Sequence, residues 1–202
     1  MAVNARIAPF INDEFVITSK WWNERINPVT GEVEIHRGLD ISTYGVSKPV
    51  YSMLNGIVHS LGTSSSRGNW IIIKDNDPSS STYGYATLYM HLASLPNFFQ
   101  GQSISVGDYV APEGTTGIST GIHLHVEMQD LNRWGNVWHS SYVQSDYIDP
   151  TVFMGIPNVE GTQVIYNGTP GPIPPTPSDK KRHHFPWYII SKKNRQKRVL
   201  NI

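Results

Sequence analysis

Histidine and aspartate residues stand at even spacings in two segments of the sequence. His36 and Asp40 are four residues apart, His123 and His125 are two apart, and a further histidine, His91, stands alone between them. We expect each pair to lie on one strand, where even spacings point to the same face and could reach one ion. Imidazole and carboxylate groups suit Zn²⁺, and catalytic zinc usually has three protein ligands. Two histidines and one aspartate would leave two imidazoles for proton transfer.

The chain has no cysteine, so disulfide bonds and cysteine-ligated metal are both excluded. Any metal must therefore be held by His, Asp or Glu. His59 and His139 are expected to be ordinary packed or surface residues, and His183 and His184 to be solvated. Glu127 is expected to support the site rather than to bind metal, because a fourth protein ligand would close it.

The elements that must position these residues are short strands. Segments with strand character recur along residues 49–128 and are separated by turns rich in Gly, Ser and Pro. No segment keeps the helical period of about 3.6 residues. The sequence predicts an all-β fold, an antiparallel β-sheet with a zinc groove on one face. The predicted strands are Pro49–Leu54, Gly56–Leu61, Asn69–Lys74, Ala86–Leu92, Tyr109–Ala111 and Ile122–Met128.

Taken together, these motifs resemble one known family. The run HRGLD at residues 36–40, the isolated His91 and the segment GISTGIHLHVEM at residues 117–128 are similar to the lysostaphin/LytM group of zinc endopeptidases, peptidase family M23. Flanking segments extend the resemblance to roughly residues 20–155, and the order of the HxxxD and HxH motifs is a specific signal. These flanking segments are RINPVTG from Arg25, VYSMLNGIV from Val50, GDYV from Gly107 and IDP from Ile148.

The resemblance implies a fold, a site and a reaction. It implies a β domain of the lysostaphin/LytM type, with a duplicated-hybrid-motif-like arrangement. Carried over position by position, it implies the zinc ligands His36, Asp40 and His125. His91 and His123 then become the proton-transfer pair, which activates water and stabilises the developing oxyanion. The implied reaction is hydrolysis of a peptide bond in a peptidoglycan stem peptide or cross-bridge, with Zn²⁺ as cofactor.

Composition divides the chain into three parts. Residues 1–157 are predicted to form the peptidase domain, 158–178 a Pro-rich linker and 179–202 a basic and aromatic tail in extended form. Residues 1–178 hold 15 acidic and 8 basic side chains, whereas residues 179–202 hold one Asp and 8 Lys and Arg. Such a tail suits docking on an acidic surface, such as a virion or tail protein, teichoic acid, phospholipid or nucleic acid, none of which the sequence selects. The plainer alternative is a disordered end.

The first residues of the sequence lack the basic cluster and apolar run of a signal peptide, and no stretch is apolar enough to span a membrane. A wall-cutting enzyme without a signal is expected to be a bacteriophage product. It would be either a lysin released at host lysis or a peptidase carried on the virion. The alternative function is a non-catalytic virion or wall-binding module that retains the fold.

Overall fold

Strands make up most of the regular structure in the computed structural model, which describes residues 2–169. The strands are β1 (Val3–Asn4), β2 (Glu14–Ser19), β3 (Asn23–Ile26), β4 (Val33–His36), β5 (Leu39–Ser42), β6 (Pro49–Tyr51), β7 (Gly56–Ser64), β8 (Gly68–Lys74), β9 (Tyr85–Leu92), β10 (Ser103–Ile104), β11 (Tyr109–Pro112), β12 (Leu124–Asp130) and β13 (Gln163–Ile165). Two short 3-10 helices, Leu131–Trp134 and Gln144–Asp146, and one α-helix, α1 (Pro150–Met154), lie between β12 and β13. The predicted all-β class is confirmed.

Nine of the strands form one sheet, in the order β1-β13-β2-β5-β12-β9-β8-β7-β10. Neighbouring strands are antiparallel except β1 and β13, which pair in parallel. Two smaller sheets pair β6 with β11 and β3 with β4. The predicted antiparallel sheet is therefore confirmed. All six predicted strands are present, with ends that differ from the prediction by at most three residues.

The two faces of β12 carry different kinds of residue. Leu124 and Val126 are fully buried in the main hydrophobic core, whereas His125 and Glu127 alternate with them and lie on the opposite face. A slip of one residue in the pairing of this strand would move the imidazole and the carboxylate into the apolar core. The core therefore fixes the register that presents the site residues.

The segment from His36 to Asp40 does not form the single strand that we predicted. His36 ends β4 in the β3–β4 hairpin, and Asp40 belongs to β5 in the large sheet, with a break at Arg37 and Gly38. The rule for side chains on one face of a strand therefore does not explain why the two residues meet. Instead, the chain passes from one sheet to another and carries both side chains to the same place.

The large sheet continues beyond residue 157, where the domain was predicted to end. β13 pairs with β1 and β2, and its Val164 is fully buried. The linker predicted over residues 158–178 thus starts too early. The strand β13 was not predicted because three residues are too few to show the alternation of a strand. The predicted linker from residue 170 onward and the tail at 179–202 lie outside the described residues. None of the described helices is long and apolar enough to cross a membrane.

Candidate metal centre

Adjacent strands bring the five predicted site residues to one place. His125 on β12 lies directly opposite Asp40 on β5. The other edge of β12 pairs with β9, which carries His91 near its end. His36 arrives from the end of β4, and His123 immediately precedes β12. Most of the cluster is therefore positioned by the ladder of one antiparallel sheet, and the β3–β4 hairpin supplies the remaining residue.

His36, Asp40 and His125 each direct one atom to a common point. The Nε2 of His36 lies 3.1 Å from Nδ1 of His125 and 3.1 Å from Oδ1 of Asp40. The Nδ1 of His125 and the Oδ1 of Asp40 are 2.8 Å apart. Donors at about 2.0–2.1 Å from a tetrahedral zinc ion lie roughly 3.3 Å from one another, so this triangle is close to the size that zinc requires. Two imidazole nitrogens and one carboxylate oxygen also form a donor set that suits zinc, and the three residues fit Zn²⁺.

The outer nitrogen of each imidazole in this triangle has an oxygen partner. The Nδ1 of His36 donates to the backbone carbonyl of Lys20 at 3.1 Å, and the Nε2 of His125 donates to Oε1 of Glu127 at 3.1 Å. Carbonyl and carboxylate oxygens only accept hydrogen bonds, so the outer nitrogen of each ring carries the proton. In the neutral rings the inner nitrogens therefore keep the lone pairs that a metal needs.

Charges within the triangle shift the pKa values of its members. Burial alone would lower the pKa of His125, but hydrogen bonds to Asp40 and Glu127 outweigh this effect and raise it to about 9. Burial opposes ionisation of Asp40, yet hydrogen bonds from His125 and His36 hold the pKa of its carboxyl well below its usual range. In the metal-free protein Asp40 is therefore ionised, and His125 carries an additional proton that a metal ion must displace.

Arg25 holds the side of Asp40 that faces away from the triangle. Its Nη1 donates to Oδ2 of Asp40 at 2.9 Å, and its Nε donates to Oε1 of Glu34 at 2.9 Å. Asn27 donates to the other oxygen of Glu34, also at 2.9 Å. One carboxylate oxygen of Asp40 is thus occupied, which leaves Oδ1 for the metal. The sequence assigned no role to Arg25, although it is the first residue of the RINPVTG segment that carried part of the family resemblance.

A second pair of imidazoles lies beside the triangle. The ring centroids of His91 and His123 are 4.8 Å apart, and the Nε2 of His123 is 3.7 Å from Oδ1 of Asp40. Both rings donate from Nδ1 to backbone carbonyls, His91 to Thr116 at 2.8 Å and His123 to Gly121 at 2.9 Å. In their neutral forms these rings therefore keep Nε2 as a proton acceptor.

His91 is held in an unusual state by its surroundings. Burial, assisted by the neighbouring charges of His125 and His123, lowers the pKa of its imidazole to about 4, so the ring is neutral at physiological pH. Burial also lowers the pKa of His123. The backbone of His91 has a φ of 63°, in the left-handed region that residues other than glycine rarely adopt. Its amide donates to the carbonyl of Arg67 at 2.9 Å, one of the contacts that maintain this conformation.

A glycine at residue 38 is required by the close approach of two segments. A Cβ atom added to Gly38 would overlap the imidazole of His125 at Nε2 and Cε1. The glycine between the first two predicted ligands therefore makes room for the third. The sequence showed this glycine within HRGLD but could not show which residue it faces.

The other histidines of the described chain lie apart from the cluster, as the sequence led us to expect. The Nε2 of His59 contacts the carbonyl of Asn136 at 3.0 Å, and His139 stacks on Trp134 with ring centroids 4.5 Å apart. His183 and His184 lie outside the described residues. The five candidate site residues are thus the ones that the structure brings together.

Two cavities open on either side of the cluster. The smaller, of about 280 Å³, is lined largely by residues 118–121 and neighbouring polar groups. The larger, of about 370 Å³, is lined by Arg37 and Arg67 among others. His91 and His125 contribute to both cavities, so the cluster lies between them. Together they form a cleft beside the candidate metal centre, with His91 and His125 in the walls of both parts.

The fold and the donor set define a β-sheet metallopeptidase, and comparison with known proteins agrees. Residues 34–145 match the family model described as Peptidase family M23, and this range contains all five candidate site residues. The chain belongs to peptidase family M23. The predicted family, and with it the zinc metallopeptidase class, is confirmed.

Individual relatives agree with this assignment. The peptidoglycan DD-endopeptidase ShyB of Vibrio cholerae is 37% identical over 117 residues, which are 58% of this chain and 26% of ShyB. The chain covers only about a quarter to a third of the length of the curated relatives it matches.

Two solved structures share the fold. Lysostaphin from Staphylococcus simulans has a TM-score of 0.56 at 23% identity, with 90% of this chain and 65% of lysostaphin covered. A chain from the complex of SpoIIIAH and SpoIIQ has a TM-score of 0.55 at 16% identity, with 73% of this chain and 98% of that chain covered. The predicted lysostaphin-type fold is confirmed.

Proposed function

We propose that this domain is a zinc-dependent endopeptidase that hydrolyses peptide bonds of bacterial peptidoglycan. The observation that carries the proposal is the convergence of donor atoms from His36, Asp40 and His125. The outer nitrogens of the two rings donate to the carbonyl of Lys20 and to the carboxylate of Glu127. The name of the relative ShyB supports peptidoglycan as the substrate.

The roles of the five residues follow from their contacts. His36, Asp40 and His125 would hold the metal. A zinc ion bound there would supply a Lewis acid and would lower the pKa of a water molecule in the site to about 7. Arg25 orients Asp40 through its hydrogen bond to Oδ2, and hydrogen bonds from His125 and His36 keep the carboxyl ionised.

His91 and His123 would handle the proton. The Nδ1 atoms of both rings donate to backbone carbonyls, so each ring can accept a proton at Nε2 from the attacking water. When the C–N bond breaks, the same ring can return that proton to the leaving amine. Once protonated, either ring can also donate a hydrogen bond to the carbonyl oxygen that gains negative charge. The lowered pKa of His91 keeps its ring neutral before the reaction, with Nε2 able to accept a proton.

The cleft supports an extended peptide as the substrate. Its two cavities meet at His91 and His125, so a peptide that occupies both would pass over the metal centre. Holding a substrate on both sides of the scissile bond fixes the position of the carbonyl relative to the attacking water. This arrangement suits cleavage within a chain.

The test is to incubate the purified protein with bacterial walls and to identify the released peptides by mass spectrometry. We expect stoichiometric zinc, release of peptides with new amino termini, loss of release with a chelator and recovery with added zinc. His125→Ala should lose zinc, whereas His91→Ala should keep zinc and lose about 10²–10⁴-fold in turnover. His59→Ala is the matched control and should behave as wild type. Retention of zinc by His125→Ala would contradict the ligand assignment, and normal turnover of His91→Ala would remove it from the mechanism.

The second candidate is a non-catalytic virion or wall-binding module. It is favoured by the presence of the same fold in a chain of the SpoIIIAH–SpoIIQ complex, a protein assembly. Stoichiometric zinc and wall binding without release of peptides from any wall would favour this module over the enzyme.

The finer proposal is that the protein acts for a bacteriophage, as a released lysin or as a peptidase attached to the virion. The concentration of basic side chains in residues 179–202 supports attachment to an acidic protein or wall polymer. Recovery of the full chain on particles or walls should fall with added salt and should be lost when the chain ends at residue 169. Equal recovery of both chains would contradict the docking role.

A further inference from the structure

Two arginines line the larger cavity without forming an ion pair in the part of the chain that the structure describes. Arg37 and Arg67 both lie in its wall. The third arginine of this wall, Arg25, is paired with Glu34 and Asp40 at 2.9 Å each. The cavity therefore presents two guanidinium groups whose charges are not neutralised by direct contact with a carboxylate.

Both arginines lie close to the site in the chain or through a hydrogen bond, and each guanidinium contacts an aromatic ring. Arg37 directly follows the first candidate ligand, and its guanidinium lies 5.2 Å from the ring centroid of Tyr142. The carbonyl of Arg67 accepts a hydrogen bond from the amide of His91 at 2.9 Å, and its guanidinium lies 5.4 Å from the ring centroid of Trp70. Contact with the face of an aromatic ring leaves the N–H groups at the edge of a guanidinium available for other partners.

The nearby acidic group does not satisfy these arginines. Glu127 is 3% exposed, and one of its oxygens accepts a hydrogen bond from His125. Glu127 is paired with His125 and forms no salt bridge with either arginine among the described residues.

The smaller cavity differs in charge. Apart from the histidines of the cluster, its charged side chains are Arg25 and Asp40, which are paired with each other, and most of the rest of its lining is polar and uncharged, as in Ser119 and Thr120. The larger cavity is lined by three arginines and two glutamates, a formal charge of +1 without the histidines, whereas Arg25 and Asp40 give zero in the smaller one. The cleft is thus electrostatically asymmetric. A substrate with a negative group on one side of its scissile bond would be bound in one direction only.

We propose that Arg37 and Arg67 bind a free carboxylate of the peptide substrate beside the bond that is cut. Arginine presents a planar fork of N–H donors that matches a carboxylate and can hold it with two hydrogen bonds. The inference rests on the proposed peptidase function and deepens it. The substrate class is an anionic wall peptide that carries a carboxylate next to the scissile bond, in preference to a neutral bridge of glycines.

The test uses two soluble cross-linked peptides that differ only in this carboxylate, which is free in one and amidated in the other. The wild-type protein should have a kcat/KM roughly 10–100-fold higher for the free carboxylate, the size expected of charged hydrogen bonds. Arg37→Gln and Arg67→Gln should each bring this ratio closer to one, mainly by slowing cleavage of the acidic peptide. Arg67→Lys, which keeps the charge but loses the fork, should have an intermediate ratio.

The matched control is Arg133→Gln, because Arg133 is exposed and does not line either cavity. Its ratio should equal that of wild type, and zinc content and thermal melting should establish that every variant is folded. Equal cleavage of both peptides by the wild type would overturn the inference and leave the proposed function intact. If neither peptide nor any wall were cut, the proposed function would fail. In that case, calorimetric affinities of the zinc-loaded protein for the two peptides would still decide whether the arginines select the carboxylate.

Discussion

Zinc uptake by the metal-free protein should compete with a proton on His125. Hydrogen bonds to Asp40 and Glu127 raise the pKa of this imidazole to about 9, against 6.5 for an ordinary histidine. The outer Nε2 faces Glu127, so the additional proton resides on Nδ1, which is 2.8 Å from Oδ1 of Asp40. This nitrogen is also the donor proposed for the metal. Proton and metal therefore bind the same atom and exclude each other.

The magnitude follows from the pKa. Each pH unit below about 9 should weaken the apparent zinc affinity about tenfold. At pH 7 the apparent dissociation constant should be about 100-fold larger than its limit at high pH, a difference of about 3 kcal/mol. A site made of ordinary imidazoles would reach its limit near pH 6.5 and would change little above pH 7.

The assay is competition with a chelator of known pH dependence, measured across the range of roughly pH 6.5 to 10. Calorimetry in buffers of different ionisation enthalpy should also find roughly one proton released for each zinc ion at about pH 7.5. Glu127→Gln removes one of the groups that raise the pKa, so the rising part of its curve should move to lower pH. At high pH, where protons no longer compete, its affinity should be about 10–100-fold weaker because the ring has lost its orienting carboxylate. An affinity for the wild type that stays constant above pH 7 would refute this reasoning.

The same proton has a consequence for folding. The pKa of His125 is raised in the folded metal-free protein, so its contribution to the free energy of unfolding is fully present below pH 6.5, the unfolded value. That contribution should be lost as the pH rises through about 9. Urea denaturation of the metal-free protein at pH values on either side of this window measures the loss, and excess zinc should mask it.

Three further outcomes follow from the packing. Gly38→Ala should force the ring of His125 to move and should weaken zinc binding by about tenfold or more. The control is Gly121→Ala, whose Cβ would meet no atom within 4 Å and which should bind zinc as wild type does. Equal zinc affinities of the two variants would contradict the close approach of Gly38 to His125. His91→Gly should unfold at higher urea than His91→Ala, by about 1 kcal/mol, because both lack the imidazole and only glycine relieves the positive φ. A chain that keeps β13 but lacks residues 170–202 should fold. A chain that ends before β13 should have a free energy of unfolding lower by about 2 kcal/mol or more, because Val164 is fully buried. Equal stability of the two chains in denaturant titration would place β13 outside the domain.

Local patterns were sufficient to predict four strands of the large sheet, β7, β8, β9 and β12, two of which carry histidines of the cluster. Alternation along β12 distinguished Leu124 and Val126, which fill the core, from His125 on the other face. Short apolar runs bounded by turn residues located the other central strands, including β9 with His91. These features are visible because each depends on residues that are close in sequence.

Contacts between distant segments could not be predicted in this way. Arg25 meets Asp40 only because the β3–β4 hairpin folds against the large sheet, and Gly38 faces His125 across 87 positions of sequence. The break between His36 and Asp40 was missed for the same reason, since an even spacing does not reveal that the chain changes sheet. In each case the decisive neighbour is supplied by tertiary packing.

The way in which the histidines are oriented has a consequence for how this protein can evolve. Three of the four imidazoles in the cluster are held by main-chain carbonyls, those of Lys20, Thr116 and Gly121. A carbonyl oxygen is present whichever residue occupies the position, so substitutions there change a side chain without removing the acceptor. The outer nitrogen of the His125 ring donates instead to a side chain, that of Glu127. Substitutions at Lys20 and Thr116 should therefore leave these acceptors in place as long as the backbone keeps its path, whereas the orientation of the His125 ring is sensitive to the identity of one buried glutamate.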